Sequence, residues 1–263
     1  RGEAVLALLG EREAVLAIDP EALPIDYRPL PPVIGLAAAT APEARQLHAD
    51  RPGNLLIEAD VRCGDASSAL ADCAHVVEGT WRTSSVEHAY IEPEAGYARR
   101  VGDRIELHVT TQTPYMDRDE VAQVMGLPPE SIRIVPTACG GGFGGKLDQS
   151  VQPMVALAAW LADRPVACVY NRPESLMAST KRHPARIEAR YGCDGDGRLR
   201  AMELMGTFDT GAYASWGPTV AGRVPVHASG PYRVPNVNAR GRAIFTNAPP
   251  SGAFRGFGVP QCA

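Results

Sequence analysis

Residues 139–150 read CGGGFGGKLDQS, and the five glycines among residues 140–146 constrain this chain more than any other stretch. Glycine accepts either sign of φ and lets other atoms approach its bare backbone, so it weakens helices and strands alike. Residues 140–146 must therefore be a loop. Its flanks are regular. Before it, DRDEVAQVMGLPPESIRIVP reads as helix, glycine stop, proline turn and strand. After it, DQSVQPMVALAAWLADRP sets Val151, Val155 and Trp160 near helical spacing and stops before Pro165. The loop thus joins a strand to a helix, a place where helix N–H groups can meet an anion.

The remaining chain is mixed, and the fold class expected is α+β. EAVLALLGEREAVLAIDP supplies a strand and part of a helix, and LPIDYRPLPPV reads as an extended strand leading to a linker. Residues 36–60, rich in Ala and Pro, read as a connection between domains. SSALADCAHVVEGTWRTSSVEHAYIEP reads as a short helix capped by Ser67 or Ser68, then strands. RIELHVTTQTP alternates and ends at Pro114, and VACVYN reads as a buried strand. In ARIEARYGCDGDGRLRAMELMGTF, the Asp-Gly-Asp-Gly run predicts a hairpin.

At 263 residues and net charge −4, the chain can bury a sizeable core and offers no basic footprint for nucleic acid or anionic membrane. Its longest apolar run, VALAAWLA, is far short of the roughly 18 residues that span a bilayer. The start at Arg1 and the finish on GVPQCA read as a piece of a longer protein. Six scattered cysteines without a C-x-x-C pair point to reduced, mostly buried thiols and a cytoplasmic setting. His75, His88, His108, His183 and His227 never fall two, three or four apart, so no metal cluster is predicted.

Three readings of the glycine run compete. Gly140, Gly145 and Lys146 match a phosphate-binding loop, but Leu147 stands where magnesium needs a hydroxyl. Gly140, Gly142 and Gly145 match a dinucleotide fingerprint. Its acidic partner is misplaced, because Asp163 precedes the next strand and Glu174 lies beyond NRP. A turn required only by packing is the third.

Five segments in order carry more information than the loop alone: EHAYIEPEAG (87–96), GGGFGGK (140–146), NRPESLMASTKRHP (171–184), GPYRVPN (230–236) and TNAPPSGAFRGFGVPQ (246–261). Together they resemble the molybdenum-cofactor subunit of the xanthine dehydrogenase and aldehyde oxidase family, the molybdenum hydroxylases. The resemblance implies the end of a hammerhead domain at 1–30, a linker at 31–57, and the first part of a molybdopterin-binding domain at 58–263. It implies a molybdenum–molybdopterin cofactor, in one form a cytosine dinucleotide, with [2Fe-2S] clusters and FAD on partner domains or subunits. It also implies an oligomer that hydroxylates an N-heteroaromatic or aldehyde carbon with oxygen from water. The alternatives are a non-catalytic cofactor-binding or assembly module of the same fold, and a nucleotide-binding enzyme using Gly140–Lys146.

Residue by residue, the resemblance gives Gln112 an amide reaching toward an oxygen on molybdenum. It gives Gly142, Phe143 and Gly144 backbone contacts to the cofactor, and sets Arg255 beside it. Arg223 would orient the substrate and Phe257 stack on it. Leu147 occupies the position where purine-oxidising members carry a glutamate. The dithiolene of the pterin holds the metal, so no direct protein ligand is implied. The general-base glutamate belongs to a later G-x-G-E motif, which is absent here and expected beyond residue 263. Read without the resemblance, Gln112 is a surface or capping amide, Phe257 core, and Arg255 a cation–π partner of a phenylalanine. His88 reads as a satisfied buried histidine, and Lys146 as either a phosphate lysine or half of an ion pair. Glu92 and Glu94 would share a strand face, although a structural task is the stronger expectation for both.

Overall fold

A computed structural model describes residues 2–263. In chain order, the first elements are α1 (Arg12–Leu16), α2 (Leu36–Ala39), β1 (Leu55–Cys63), α3 (Ala66–Ala71) and β2 (His75–Thr83). Next come β3 (Ala95–Val101), β4 (Arg104–Val109), α4 (Pro114–Met125), β5 (Ile132–Pro136), α5 (Gln152–Ala162), β6 (Val166–Val169) and α6 (Arg172–Ala178). The chain ends with β7 (Ala185–Cys193), β8 (Leu199–Gly211), α7 (Gly217–His227), β9 (Asn236–Phe245) and α8 (Val259–Cys262). Helices and sheets together make an α+β chain, as expected.

Contacts divide the chain into two compact units built from interleaved segments. Unit 1 comprises Arg1–Pro32, Ala89–Gly142 and Gln149–Ser179. Unit 2 comprises Val33–His88, Phe143–Asp148 and Thr180–Ala263.

Unit 1 holds a four-stranded sheet in the order β5–β4–β3–β6, parallel between β4 and β5 and antiparallel elsewhere. Ile105, Leu107 and Val109 point from β4 into a core shared with Val121 and Ala122 of α4 and Val155, Ala156 and Ala159 of α5. Gly126, with φ 65°, closes α4 in the left-handed conformation that the sequence places there. The strand expected within EAVLALLG does not form. Residues 3–9 are exposed, and only α1 follows. VACVYN is not a buried strand either, because β6 lies at the sheet edge and exposes alternate residues, Val169 by 70%. Such alternation marks a strand with one face packed and the other open to solvent.

Unit 2 holds a five-stranded sheet in the order β1–β9–β8–β7–β2, with β8 and β9 parallel. The predicted hairpin is β7–β8. Ala185, Ile187, Met202, Leu204, Phe208, Ala239 and Ala243 form one core face, covered by Val220, Ala221 and Val224 of α7. Gly241 has no room for a Cβ, because the Ala221 carbonyl of α7 lies against it. Asp65, not Ser67 or Ser68, caps α3 by accepting the Ser68 N–H at 3.1 Å. All six cysteines are free; two are exposed, four partly exposed and none buried, so the expectation of mostly buried thiols is corrected. Among the described residues, no helix is long and apolar enough to cross a membrane.

Candidate functional site

The glycine run crosses from one unit to the other, with Gly140–Gly142 in unit 1 and Phe143–Lys146 in unit 2. It does not lead straight into a helix. Residues 147–151 intervene before α5, whose second residue is Pro153. The helix N-terminus therefore plays no part in this loop.

In unit 1, the chain leaves β4 at Val109 and turns into α4, where Pro114 fixes the first helical position. The Thr113 N–H donates to Thr111 Oγ1 at 3.0 Å, closing a tight turn around the exposed Gln112. Gly142 packs on this amide: a Cβ built there would lie 2.5 Å from Gln112 Oε1. Glu92 pins the start of the glycine run, accepting the Gly140 N–H at 2.7 Å and donating its own N–H to the Gly140 carbonyl at 3.3 Å. Buried Glu94 accepts the Tyr90 hydroxyl. Neither glutamate lies in a strand, so the shared-face pair does not form. Arg172, at the start of α6, donates to the Ile91 carbonyl at 2.8 Å.

Asp117 escapes sequence reasoning. It is fully buried in the first turns of α4, where it accepts from Gln149 Nε2 at 3.0 Å and Gln152 Nε2 at 3.5 Å. Burial outweighs these donors and raises its pKa above the ordinary carboxylate value.

In unit 2, two glycine-flanked turns are bound together. The Arg255 N–H donates to the Phe143 carbonyl at 2.9 Å. Gly144 has φ 100°, and a Cβ there would stand 2.8 Å from the Ala253 carbonyl. Phe143 (φ 52°) and Phe257 (φ 45°) adopt left-handed backbones that bulky residues rarely accept. Such strain gathers at functional loops.

Phe254 anchors the second turn. His88 stacks on it with ring centres 4.2 Å apart, and the Arg182 guanidinium lies 3.9 Å from its centre. Arg182 also donates to the Arg255 carbonyl at 2.9 Å. His88 is buried as expected, and its Nε2 donates to the Ala253 carbonyl at 2.8 Å. Its Nδ1 lies 3.8 Å from Glu87 Oε1, beyond hydrogen-bond range, so only one ring nitrogen meets the expectation of a satisfied histidine. The cation–π partners of the phenylalanines are therefore Arg182 and Arg223, not Arg255. Arg255 is exposed, and its guanidinium meets no acidic side chain among the described residues.

Arg223 projects from α7 with its guanidinium 4.9 Å over the ring of Phe257. Trp216 tilts against the same ring with centres 5.9 Å apart. Phe257 also packs on the unit 2 core. Leu147 is half-buried, and Lys146 is buried at 3% exposure. A phosphate-binding loop needs its lysine presented to the ligand, so the nucleotide reading of Gly140–Lys146 fails here. Asp148 ties the end of the loop down, accepting from Ser215 Oγ at 2.7 Å and Thr180 Oγ1 at 3.2 Å. Among the described residues, no three His, Cys, Asp or Glu converge as metal ligands.

Known proteins resemble this chain in sequence and fold. The family model of the molybdopterin cofactor-binding domain matches residues 47–263. The nicotinate dehydrogenase large molybdopterin subunit of Eubacterium barkeri is 39% identical over 263 residues, covering 100% of this chain and 61% of that one. The xanthine dehydrogenase molybdenum-binding subunit of Escherichia coli O157:H7 is 30% identical over 268 residues, covering 99% of this chain and 35% of its own length. Among solved structures, aldehyde oxidoreductase from Desulfovibrio gigas matches with TM-score 0.85 at 30% identity, over 89% of this chain and 26% of that chain. Quinoline 2-oxidoreductase from Pseudomonas putida 86 matches with TM-score 0.80 at 30% identity, over 89% of this chain and 30% of that chain. This chain thus spans 61% of one curated relative and 35% of the other.

Proposed function

We propose a function for this chain from the premise that it belongs to the molybdopterin cofactor-binding domain family, within the xanthine dehydrogenase and aldehyde oxidase type of molybdenum hydroxylases. It forms part of the molybdenum-cofactor subunit of an oxidoreductase that hydroxylates an N-heteroaromatic or aldehyde carbon with oxygen from water. When bound, the molybdenum–molybdopterin supplies the redox chemistry, taking electrons from the substrate carbon and passing them to iron–sulfur clusters. Those clusters, and FAD, would reside on partner domains or subunits of a cytoplasmic oligomer. The hammerhead remnant would lie at 1–30 and the molybdopterin-binding part would begin after a linker within 31–57. Similarity to a nicotinate dehydrogenase subunit and a quinoline oxidoreductase favours an N-heteroaromatic substrate.

One observation carries this reading: the hydrogen bond from Arg255 to Phe143 fastens two glycine-flanked turns together while the Arg255 guanidinium stays exposed and, among the described residues, without an acidic partner. Bare backbone beside an uncommitted guanidinium suits an oxygen-rich anionic group such as the pterin phosphate. The residues present therefore fit the cofactor. Gly142, Phe143 and Gly144 would meet it through the backbone, Arg255 would bind its oxygens, and Gln112 would turn its amide toward it. Arg223 would orient the substrate, and Phe257 would give it an aromatic face, with Leu147 directly after the glycine loop. The general base would be a glutamate of a G-x-G-E motif, which residues 1–263 do not contain.

Metal and pterin analysis of the full-length protein tests the reading. Stoichiometric molybdenum with pterin is expected. Bound ATP or NAD without molybdenum would overturn it.

A further inference from the structure

Arg182 stands in NRPESLMASTKRHP, and the function proposed above gives it no part. Its backbone is seated between two other segments of unit 2. The Arg182 N–H donates to the Val86 carbonyl at 2.9 Å. Its neighbour Lys181 donates to the Pro250 carbonyl at 3.0 Å and accepts the Gly252 N–H at 2.9 Å. From that seat the side chain reaches over the next turn. The guanidinium lies 3.9 Å from the centre of the Phe254 ring and donates through Nη2 to the Arg255 carbonyl at 2.9 Å. Its other terminal nitrogen meets Gln261 Oε1 of α8 at 3.4 Å. A flat guanidinium can offer its face to a ring and its edge to a carbonyl at once, which a single ammonium cannot. Arg255 is thereby held on both sides of its Cα. Its N–H is bonded to the Phe143 carbonyl at 2.9 Å, its carbonyl is bonded by Arg182, and His88 stacks on the preceding ring. Two planar peptide groups held in place fix the direction in which the side chain between them leaves the backbone. Packing does not need that direction, because Arg255 itself is exposed.

We propose that Arg182 is a positioning residue: by clasping the Arg255 carbonyl and the Phe254 ring together, it aims the Arg255 guanidinium at the oxygens of the cofactor. This inference deepens the function proposed above and rests on its assignment of Arg255. Arg182 need touch neither cofactor nor substrate.

The test uses the full-length protein loaded with molybdenum and pterin, and reads the rate at which pterin is released. Arg182→Met keeps a long apolar stem on the Phe254 ring and removes the donors. It should release pterin about ten- to a hundred-fold faster than wild type, the range for losing one hydrogen bond to a charged group. Arg255→Met should release it as fast. The double variant should be no faster than Arg255→Met, because residues acting through one group are not additive. Hydrogen exchange at the Arg255 amide should be faster in Arg182→Met than in wild type. Should Arg182→Met fail to fold, Arg182→Lys keeps the charge and the stem. Its melting temperature should match wild type while its pterin release is still faster, since one ammonium cannot hold ring and carbonyl together. Multiplying effects in the double variant, unchanged exchange at Arg255, or wild-type release in Arg182→Lys would overturn the inference alone. Wild-type release in Arg255→Met would overturn the assignment of Arg255 and this inference with it.

Discussion

Gln112 is an exposed side chain at the end of a strand, and nothing local marks it as more than a capping amide. Its candidacy came from resemblance, and the turn that holds it became visible only in three dimensions. If its amide donates to an oxygen on the metal, Gln112→Ala in the full-length protein should lower turnover on the order of 10²-fold. Melting temperature and molybdenum content should be unchanged; wild-type turnover would remove Gln112 from the site. Asp117 was invisible for a physical reason. An acid near a helix N-terminus reads as a solvated partner of the helix dipole, and only tertiary packing shows it to be buried. His183 is a similar case, since a histidine before proline carries no local sign of burial. It is 1% exposed, contacts Thr210 Oγ1 at 3.2 Å, and burial pushes its pKa down to about 4. A histidine whose folded pKa is depressed contributes stability above its unfolded value of roughly 6.5 and loses it as pH falls toward the folded one. The loss across that window is about 3 kcal/mol by the linkage relation. Thermal melts should therefore drop between about pH 6.5 and 4. His183→Gln should flatten that drop, and an unchanged pH profile would show that other groups cause it.

The turns and helix ends were largely legible because their signals are local. Gly126 stops α4, and the Asp-Gly-Asp-Gly run makes the β7–β8 turn. The edge position of β6 was not legible, because a strand's neighbours come from distant segments. Nor could its absent counterpart in EAVLALLG be foreseen, since an apolar run becomes a strand only where a partner edge exists. The glycine loop shows a subtler limit. Sequence suggested that its glycines are bare for the cofactor's sake, whereas the fold already requires Gly144 to be bare. The two requirements differ, and substitution should separate them. Gly144→Ala forces a Cβ onto a φ of 100° and to 2.8 Å from the Ala253 carbonyl, neither of which can relax cheaply. It should destabilise the protein by roughly 1–3 kcal/mol, so loss of metal from this variant would not by itself report a cofactor contact. Gly142→Ala instead meets the tip of the Gln112 side chain, which can swing away. That variant should keep its melting temperature and lose turnover, because the displaced group is the proposed donor. Equal melting temperatures for the two variants would contradict this division.

Across the whole chain, neither unit is continuous in sequence, and composition shifts could not have revealed how segments 33–88, 143–148 and 180–263 assemble. What sequence order did preserve was the set of motifs. In unit 1, Arg172 of NRPESLM reaches the Ile91 carbonyl of EHAYIEPE; in unit 2, Lys181 pairs with Glu87 at 2.6 Å. Motifs distant along the chain thus hold one another within each unit. Substrate choice is likewise a property of the assembled subunit, and it supplies a sharp test. Leu147 follows the glycine run and is half-buried, with its N–H donated to the Gly144 carbonyl at 3.3 Å. Its side chain neither accepts nor donates a hydrogen bond. The guanidinium of Arg223 and the ring of Phe257, 4.9 Å apart, are the groups proposed to orient and stack a planar molecule. A purine would bury ring nitrogens without a partner at this position, at about 1–3 kcal/mol for each unsatisfied group. That corresponds to roughly ten- to a hundred-fold in discrimination. The full-length enzyme should therefore turn over xanthine poorly, and less polar N-heteroaromatics or aromatic aldehydes better, when compared by kcat/KM. Leu147→Glu should raise kcat/KM for xanthine and lower it for the apolar compounds. A large preference for xanthine in the unaltered enzyme would show that Leu147 does not face the substrate ring.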